Sequence, residues 1–387
     1  MCSIVVVVQG DFELIQVQIV TRHGARSPYQ LFPDEWDTEW NCTVHPAGTL
    51  GGPGYSLSPT SRLYSRSYIP GLQVLRGNCA QGELTEQGSQ MHVALGQQIR
   101  QQYASFLPGN FSDKFFFVRS TDVPRTIESA GSFLSGMYPS STPLINIWLI
   151  EAQNDNMQLP SHCGLINQLC NAVQSTPEWV SRLLAMQPLQ QKLIKQWGIP
   201  ASEFPVWTNI QSTLQCRNAA GVPNPSYLST AEYNSIMDLA NWQMAALWNS
   251  TRQAQLLTGL FLNQLLGNIN AAISNAPGPS FFLFSGHDTT IGPLLAALEA
   301  FPTDWPPFAA HVQLELYQNA SSSFFVRGLY NGQVIYFGNQ NPCDEYCPFS
   351  QFKSIIAKYL TDAKSQNDLC SSVPYAAGLN DYTTFLC

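Results

Sequence analysis

Three hydrophobic segments of this chain each run directly into a polar turn and then into helical sequence. The first, residues 14–20, ends in the motif RHGARSP at 22–28. Segments 115–118 and 280–284 lead in the same way into RSTDVPRT at 119–126 and SGHDTT at 285–290. Strands that alternate with helices form a largely parallel sheet, and ligands bind beyond the carboxyl ends of its strands. The pattern therefore predicts an α/β fold in which the three turns contribute to one pocket.

The first turn has the composition of an oxyanion site. Arg22 and Arg26 flank His23, and a guanidinium is planar, permanently charged and suited to forked hydrogen bonding of phosphate. A histidine between two arginines is a nucleophile, a base or a structural group. The alternative is an exposed basic turn, which the five fixed positions of R-H-G-x-R-x-P disfavour.

The other two turns supply further candidates at helix amino termini, which favour anions. His287 and Asp288 precede a helical segment, although an aspartate there is also a common helix cap. Arg125 falls in the first turn of a helix, where a cation is unfavourable unless an anion is bound. The competing interpretation is a surface ion pair of Arg125 with Glu128 or another carboxylate. Arg119 lies on the strand and is expected to serve the structure.

Together these motifs resemble the histidine acid phosphatase family, in particular its prostatic and lysosomal acid phosphatase branch. Residues 84–88 (LTEQG) resemble the LT-x-x-G helix start of that branch, and residues 119–125 resemble its RSTDVDRT segment. Residues 287–290 match its HDTT, and residues 343–352 (CDEYCPFSQF) are similar to its CSPSCPLERF. The resemblance extends over roughly residues 14 to 352, and its motifs occur in a consistent order.

The resemblance implies a role for each candidate residue. His23 is the expected nucleophile and Asp288 the expected acid for the leaving oxygen, while the phosphate oxygens are held by Arg22, Arg26, Arg125 and His287. Phosphoryl transfer depends mainly on positioning and on charge stabilisation. The arginines and a protonated histidine supply the positive charge, so no metal and no cofactor is expected. Because Asp288 must carry a proton, the expected activity optimum is acidic.

Periodicity and the resemblance together predict a phosphoglycerate-mutase-like α/β fold. Its mostly parallel, mixed sheet is flanked by helices, and a smaller helical cap is inserted. The core is expected at 11–152 and 275–387, with a loop-rich excursion at 29–82, and the cap at 153–274. The individual elements expected are strands at 14–20, 115–119, 145–150 and 280–284, helices at 85–107 and 124–137, and an edge hairpin at 311–317 and 324–330.

Composition narrows the set of partners. Only 11% of the 387 residues are charged, the net charge is −8 and the pI is about 5.2, so general attraction to nucleic acids is not expected. No run of 18 apolar residues occurs, and no membrane span is expected. The expected partner is a small phosphomonoester, and homodimerisation is left open.

Ten cysteines and four glycosylation sequons, at Asn41, Asn110, Asn249 and Asn319, point to the secretory pathway. The predicted location is secreted or lysosomal. The apolar stretch at residues 2–8 is interpreted as the remnant of a truncated signal peptide or as an edge of the first strand.

Cysteine pairing is only partly specified. A small disulfide loop is expected between Cys343 and Cys347, the resemblance implies a bridge from Cys163 to Cys370, and Cys42 and Cys79 flank the excursion as a candidate pair. Where the branch has a further cysteine after the HD helix, this chain has His311. The partner of Cys216 is therefore open, with Cys170 and Cys387 as candidates.

The main functional hypothesis is an acid phosphatase that hydrolyses phosphate monoesters through a phosphohistidine. A phytase uses the same motifs, but phytate calls for a basic cap and this cap has few cations: Arg182, Lys192, Lys195, Arg217 and Arg252. A lysophosphatidic acid phosphatase fits an apolar cap. A phosphoglycerate mutase is disfavoured by the aspartate beside the late histidine. A non-catalytic phosphate-binding protein has no need of both His23 and Asp288.

Overall fold

The computed structural model describes residues 8–9, 12–33, 38–42, 74–139, 145–160, 163–248 and 250–374. Three expectations concern residues outside the described part. They are the interpretation of the stretch before residue 8, the sequon at Asn249 and the pairing of Cys387. The strands of the described part are β1 (Val8–Gln9), β2 (Phe12–Arg22), β3 (Glu39–Trp40), β4 (Arg76–Gly77), β5 (Phe116–Ser120), β6 (Phe281–Gly286), β7 (His311–Asn319), β8 (Phe324–Tyr330), β9 (Gln333–Ile335) and β10 (Cys347–Pro348).

The helices begin and end where the local sequence favours it. Pro124 is the first residue of its helix, where a missing amide costs nothing, and Thr85 caps the preceding one. They are α1 (Glu86–Gln102), α2 (Pro124–Met137), α3 (Gly164–Gln174), α4 (Pro177–Ala185), α5 (Gln187–Trp197), α6 (Trp207–Ala219), α7 (Thr230–Trp248), α8 (Thr251–Ile273), α9 (Asp288–Ala297), α10 (Phe349–Ile356) and α11 (Ala363–Ser371), with short 3₁₀ turns at Ala152–Asn154, Ala201–Glu203 and Ala357–Tyr359.

The main sheet is mixed, as expected for the fold class. Its strand order is β10-β8-β7-β2-β6-β5 within the described residues. β2, β6 and β5 run parallel, whereas β7 pairs antiparallel with β2 and β8 antiparallel with β7. The six residues of β6 are all buried, as is typical of a strand covered on both faces. The parallel part therefore consists of the three strands that carry the sequence motifs.

Two strand predictions were wrong. Residues 145–150 form no strand, because only Trp148 makes an isolated bridge, to Arg119 of β5. The hairpin of β7 and β8 exists, but it is not at the edge as predicted. β7 pairs with the central strand β2 along most of its length, and β10 and β9 pair with β8. Such long-range pairing cannot be read from the local alternation of side chains.

Helix α8 packs against the sheet. The side-chain amides of Gln18 and Gln16 on β2 donate to the carbonyls of Leu265 and Asn268 at 2.9 and 3.0 Å. By length and composition α8 is the one described helix that could cross a membrane, with a mean hydropathy of 1.3, and half of that stretch is buried. A helix in the core of a fold has the same composition.

The division of the chain into a core and a cap that ends at residue 274 stays a proposal.

The disulfides of the described residues largely follow expectation. Cys42 pairs with Cys79, Cys163 with Cys370, and Cys343 with Cys347. The expectation for Cys216 was wrong: its buried thiol is free, while Cys170 forms a disulfide of its own. Cys216 lies in the same apolar cluster as Cys42 and Cys79, so its burial needs no bond to a second sulfur.

Candidate active site

The parallel register brings the three sequence motifs together. Arg22, the last residue of β2, lies opposite Gly286, the last residue of β6. Ser120, at the end of β5, lies opposite Ser285. The turns that follow these strands therefore leave the sheet side by side, which places their polar side chains at one edge.

Hydrogen bonds on both sides hold the backbone around His23. The amide of His23 donates to the carbonyl of Gly286 at 3.0 Å, and its carbonyl accepts from the amide of Ala309 at 3.1 Å. The amide of Gly24 donates to the hydroxyl of Ser129 on α2 at 3.1 Å. A Cβ at Gly24 would lie 2.2 Å from the carbonyl oxygen of Gly88 on α1. The glycine of the motif is thus required by the close approach of that helix.

The imidazole of His23 is held in one tautomer. Its Nδ1 lies 2.8 Å from the carbonyl oxygen of Gly24, and a carbonyl only accepts, so Nδ1 carries the proton and Nε2 the lone pair. Burial, followed by the charges of Arg125 and Arg22, lowers the pKa of His23 well below 6.5. The ring is 5.6 Å from the ring of His287 between centroids. His23 is therefore a neutral group with a free nitrogen lone pair.

Arg22 and Asp288 form a buried ion pair. Nη2 of Arg22 lies 2.9 Å from Oδ2 of Asp288, and both side chains are 2% exposed. The same oxygen accepts a hydrogen bond from Nε1 of Trp305 at 2.9 Å, and Oδ1 accepts from the amide of Thr289 at 2.9 Å. Burial by itself would raise the pKa of Asp288, but Arg22 and then Trp305 outweigh burial and leave it below 3.8. The site thus holds Asp288 as a carboxylate.

Arg125 and His287 meet on the opposite side of the site. Nη2 of Arg125 lies 3.2 Å from Nδ1 of His287, and a guanidinium only donates, so Nδ1 accepts. Nε2 of His287 lies 3.0 Å from the hydroxyl of Thr121 and carries the ring proton. Burial and then the charge of Arg125 lower the pKa of His287 to about 3. This neutral state differs from the protonated histidine that the sequence led us to expect.

Arg26 connects the site to helix α6. Its Nη2 donates to the hydroxyl of Ser212 at 2.8 Å, and its Nη1 lies 3.5 Å from Sγ of Cys216. The guanidinium also lies over the ring of Tyr29, 4.3 Å from its centroid, and Arg125 faces the same ring at 5.7 Å. Burial raises the pKa of the Cys216 thiol although three arginines oppose it, so this sulfur is not a ready nucleophile.

All six residues predicted for the site lie in one cluster, and they leave it positively charged. Three guanidinium groups face one carboxylate, while both histidines are neutral. Burial lowers the pKa of Arg125 to about 10, with smaller lowering contributions from Arg26 and Arg22, so its guanidinium remains a cation. The described cluster therefore has a net charge of about +2, which matches one phosphate dianion.

Arg119 stands apart from this cluster, as expected. Its Nη2 pairs with Asp155, and its Nη1 donates to Oε1 of Gln264 at 2.7 Å. The amide of Met157 also donates to Asp155, and the carbonyl of Met157 accepts from the Thr290 hydroxyl at 2.7 Å. Arg119 thus anchors the segment that supports the start of α9, and it does not reach the oxyanion site.

Sequence reasoning missed the residues that form the walls of the site, namely Tyr29, Thr121, Ser212, Cys216, Trp305 and Phe308. The ring of Phe308 lies 4.4 Å from the Arg22 guanidinium and 5.8 Å from the ring of His23. Single aromatic or small polar residues, whether in loops or on α6 as Ser212 and Cys216 are, carry no spacing signal. The only local hint was the aromatic-proline segment WPPF at 305–308, directly before β7.

One group of potential metal ligands occurs within the described part of the chain. Cys42, Cys79 and Glu83 each place a ligand atom within 4.8 Å of the others. The two sulfurs are joined in a disulfide, which removes the thiolates that a metal requires. This cluster is a structural bridge.

Comparison with known proteins identifies the family of the chain. The chain is 30% identical to counting factor 60 of Dictyostelium discoideum over 92% of this chain and 89% of that protein. It is 27% identical to human lysophosphatidic acid phosphatase type 6 (93% and 86% covered) and 25% identical to the lysosomal acid phosphatase of Xenopus laevis (94% and 80%). Among solved structures, Hafnia alvei phytase in complex with tartrate superposes with a TM-score of 0.65 at 17% identity (92% and 100%), a likeness in fold. The model of the histidine phosphatase superfamily (branch 2) matches residues 13–331, and the chain belongs to this family.

Proposed function

We propose that this protein is an acid phosphatase that hydrolyses phosphate monoesters through a covalent phosphohistidine on His23. The observation that carries the proposal is the tautomer of His23, whose Nδ1 is bound to the Gly24 carbonyl and whose Nε2 therefore offers a lone pair. A covalent intermediate divides a difficult displacement into two easier steps. A protein that only binds phosphate would need the arginines but neither this lone pair nor a buried carboxyl group beside it.

Arg22, Arg26 and Arg125 are assigned to the phosphate oxygens. Arg22 and Arg26 are buried and Arg125 is partly buried, and each lies close to an aromatic ring, so solvent screens their charges less than it would at an open surface. Each charge-assisted hydrogen bond contributes about 1.5–3 kcal/mol, which is why several are needed. His287 orients Arg125 in the present arrangement. A bound dianion would relieve the crowding of positive charge, raise the pKa of His287 and allow a proton on Nδ1 to face the phosphate.

The proposed reaction consists of two successive displacements at phosphorus. Nε2 of His23 attacks phosphorus, the bond to the ester oxygen breaks, and the leaving oxygen takes its electron pair together with the proton of Asp288. A water molecule then attacks phosphorus, gives its proton to the Asp288 carboxylate and releases His23 as a neutral imidazole. Inorganic phosphate leaves the site with the proton count restored. No oxidant and no second substrate is required.

A substrate with a single phosphate fits the charge of the site best. Four of the five cap cations noted in the sequence have partners: Arg182 pairs with Glu178, Lys192 with Glu232, Arg252 binds the Gln255 side chain and Arg217 donates to the carbonyl of Pro223. Only Arg182 and Lys192 are shown paired with carboxylates, since the acceptors of Arg252 and Arg217 are neutral oxygens, so these ion pairs remove part of the positive charge that the cap offers to further phosphates. This favours simple monoesters or a lysophosphatidate over phytate.

Replacement of His23 tests the covalent step. We expect His23→Ala to lose at least about 10³-fold in hydrolysis, because the nucleophile is missing, while inorganic phosphate still binds to the arginines. Wild-type protein quenched with radiolabelled substrate should carry a label that is stable to base and labile to acid. A wild-type label that resists acid, or a His23→Ala variant with normal turnover, would contradict the proposal.

The pH dependence follows from the directions of the pKa shifts. The free site holds Asp288 ionised, so the proton for the leaving group must arrive with the substrate, whose second pKa is about 6. Above this pH neither Asp288 nor the substrate phosphate carries the proton, so kcat/KM should fall about tenfold per pH unit. On the acid side His23 stays unprotonated far below pH 6.5, so activity should persist. A rate profile between pH 3 and 8 checks this, and a rate that rises steadily from pH 5 to 8 would count against it.

A substrate panel separates the candidates within the family. At pH 5 we expect kcat/KM for an aryl phosphate, a nucleoside monophosphate and lysophosphatidate to exceed that for phytate by about tenfold or more, because the site neutralises about two negative charges. His23→Ala serves as the background for each substrate. Preference for phytate by a similar factor would assign the protein to the phytases instead.

A secreted or lysosomal location is proposed alongside the activity. Three disulfides occur in the described residues, which favours an oxidising compartment. Asn110 is exposed, and Asn319 is partly exposed at the end of β7. Protein secreted from its native host should lose mass on treatment with a peptide N-glycosidase, and a double Asn110→Gln, Asn319→Gln variant should lose less. Natural protein that carries no glycan at any of the four sequons would argue for another compartment.

A further inference from the structure

The two oxygens of the Asp288 carboxylate have different surroundings. Oδ2 accepts from Nη2 of Arg22 and from Nε1 of Trp305, each at 2.9 Å. Oδ1 accepts only from the amide of Thr289, at 2.9 Å, among the contacts described. A guanidinium and an indole N–H donate and never accept. Both lone pairs of Oδ2 are therefore occupied by groups that cannot receive a proton from it.

We infer that Trp305 is a positioning residue for Asp288, the acid of the reaction. Because its indole N–H occupies Oδ2, Oδ1 is the oxygen that delivers the proton to the leaving group. The inference rests on the proposed function, since it assigns a role within that reaction. If the carboxyl group could be protonated on either oxygen, it would have to rotate whenever the proton was on the oxygen farther from the ester oxygen. With both lone pairs of Oδ2 occupied by donors, the proton resides on Oδ1, which accepts a single hydrogen bond among the contacts described.

Trp305 is itself held from two sides. Its side chain is 5% exposed, and its backbone amide donates to Oδ1 of Asn241 on α7 at 3.3 Å. The side-chain amide of Asn241 also donates to Asp304 at 3.3 Å. The next residue, Pro306, accepts a hydrogen bond from Arg22 through its carbonyl. The indole is thus anchored both to helix α7 and to the arginine that shares its carboxylate.

Removal of the indole N–H should change the protonation of Asp288 in a known direction. The other charged or titratable groups that act on this carboxyl are Arg22, His287, Arg26 and Arg125, and Trp305→Phe leaves all of them in place. The variant removes one donor that stabilises the ionised form, so the pKa of Asp288 rises. At a given pH a larger fraction of the enzyme–substrate complex then carries the acid proton.

The test is the single-turnover rate of phosphoryl transfer to His23 at saturating substrate, measured as a function of pH. Glycerol phosphate has a poor leaving group, the glycerol alcohol. For this substrate the alkaline limb of the pH–rate profile should lie about one pH unit higher in Trp305→Phe than in the wild type. For p-nitrophenyl phosphate, whose leaving group departs without a proton, the rate should change less than about threefold.

Trp248→Phe is the matched control. Trp248 is fully buried, its ring packs against Gly292 of α9, the helix that Asp288 begins, and its Nε1 has no hydrogen-bond partner within the described structure. This variant loses an indole of the same size near the same helix without touching Asp288. Its alkaline limb should coincide with that of the wild type for both substrates.

A second measurement uses the wild-type protein and needs no variant to fold. With inorganic phosphate bound, the indole N–H resonance of Trp305 should titrate with the midpoint of the alkaline limb. A pH-independent resonance, an unshifted limb in Trp305→Phe, or equal rate losses for both substrates would each overturn the inference. A wild type that transfers phosphate from no monoester would instead refute the proposed function.

Discussion

The packing of three arginines, two of them buried, near a single carboxylate is the constraint on which the rest of the structure depends. Moving a cation out of water costs several kcal/mol unless partners replace the solvent. Here Asp288 balances one charge, and the rings of Tyr29 and Phe308 and a set of carbonyl and hydroxyl groups support the guanidinium groups. The charge that remains is positive, and only an anion can offset it. This excess of positive charge is the basis on which we propose that the site binds a phosphate.

The parallel strands β2, β6 and β5 hold these positively charged side chains close together. Each strand ends at the same level, and the backbone around its end is bound to neighbouring segments as well as to local side chains. The amide of Arg22 donates to the carbonyl of Ala310, and Nε2 of His92 on α1 lies 3.0 Å from the carbonyl of Arg22. Helix α1 comes so close that a Cβ at Gly88 would lie 2.0 Å from the Ala25 carbonyl oxygen. Main-chain packing of this kind lets side chains that repel one another stay in place.

Some elements could be predicted because their signals are local. Helix α2 has the expected bounds, since Pro124 marks its start and an apolar stripe runs to Met137. Other elements depend on distant partners. Residues 145–150 have the composition of a strand yet form one bridge, and β7 lies inside the sheet because β2 pairs with it. Cys216 was expected to pair with another cysteine, but its thiol is free and contacts Arg26, an outcome that depends on the packing of α6.

The sequence by itself determined which chemical groups the site contains and the order in which the chain presents them, because R-H-G-x-R-x-P, the arginine at a helix start and the His-Asp pair each have a local physical meaning. Only the tertiary structure decided their protonation and orientation. His23 shows its Nε2 lone pair, His287 is neutral, and Asp288 is ionised with one oxygen closed by Trp305. These properties depend on burial and on donors that lie far away along the chain, and no spacing between residues encodes them.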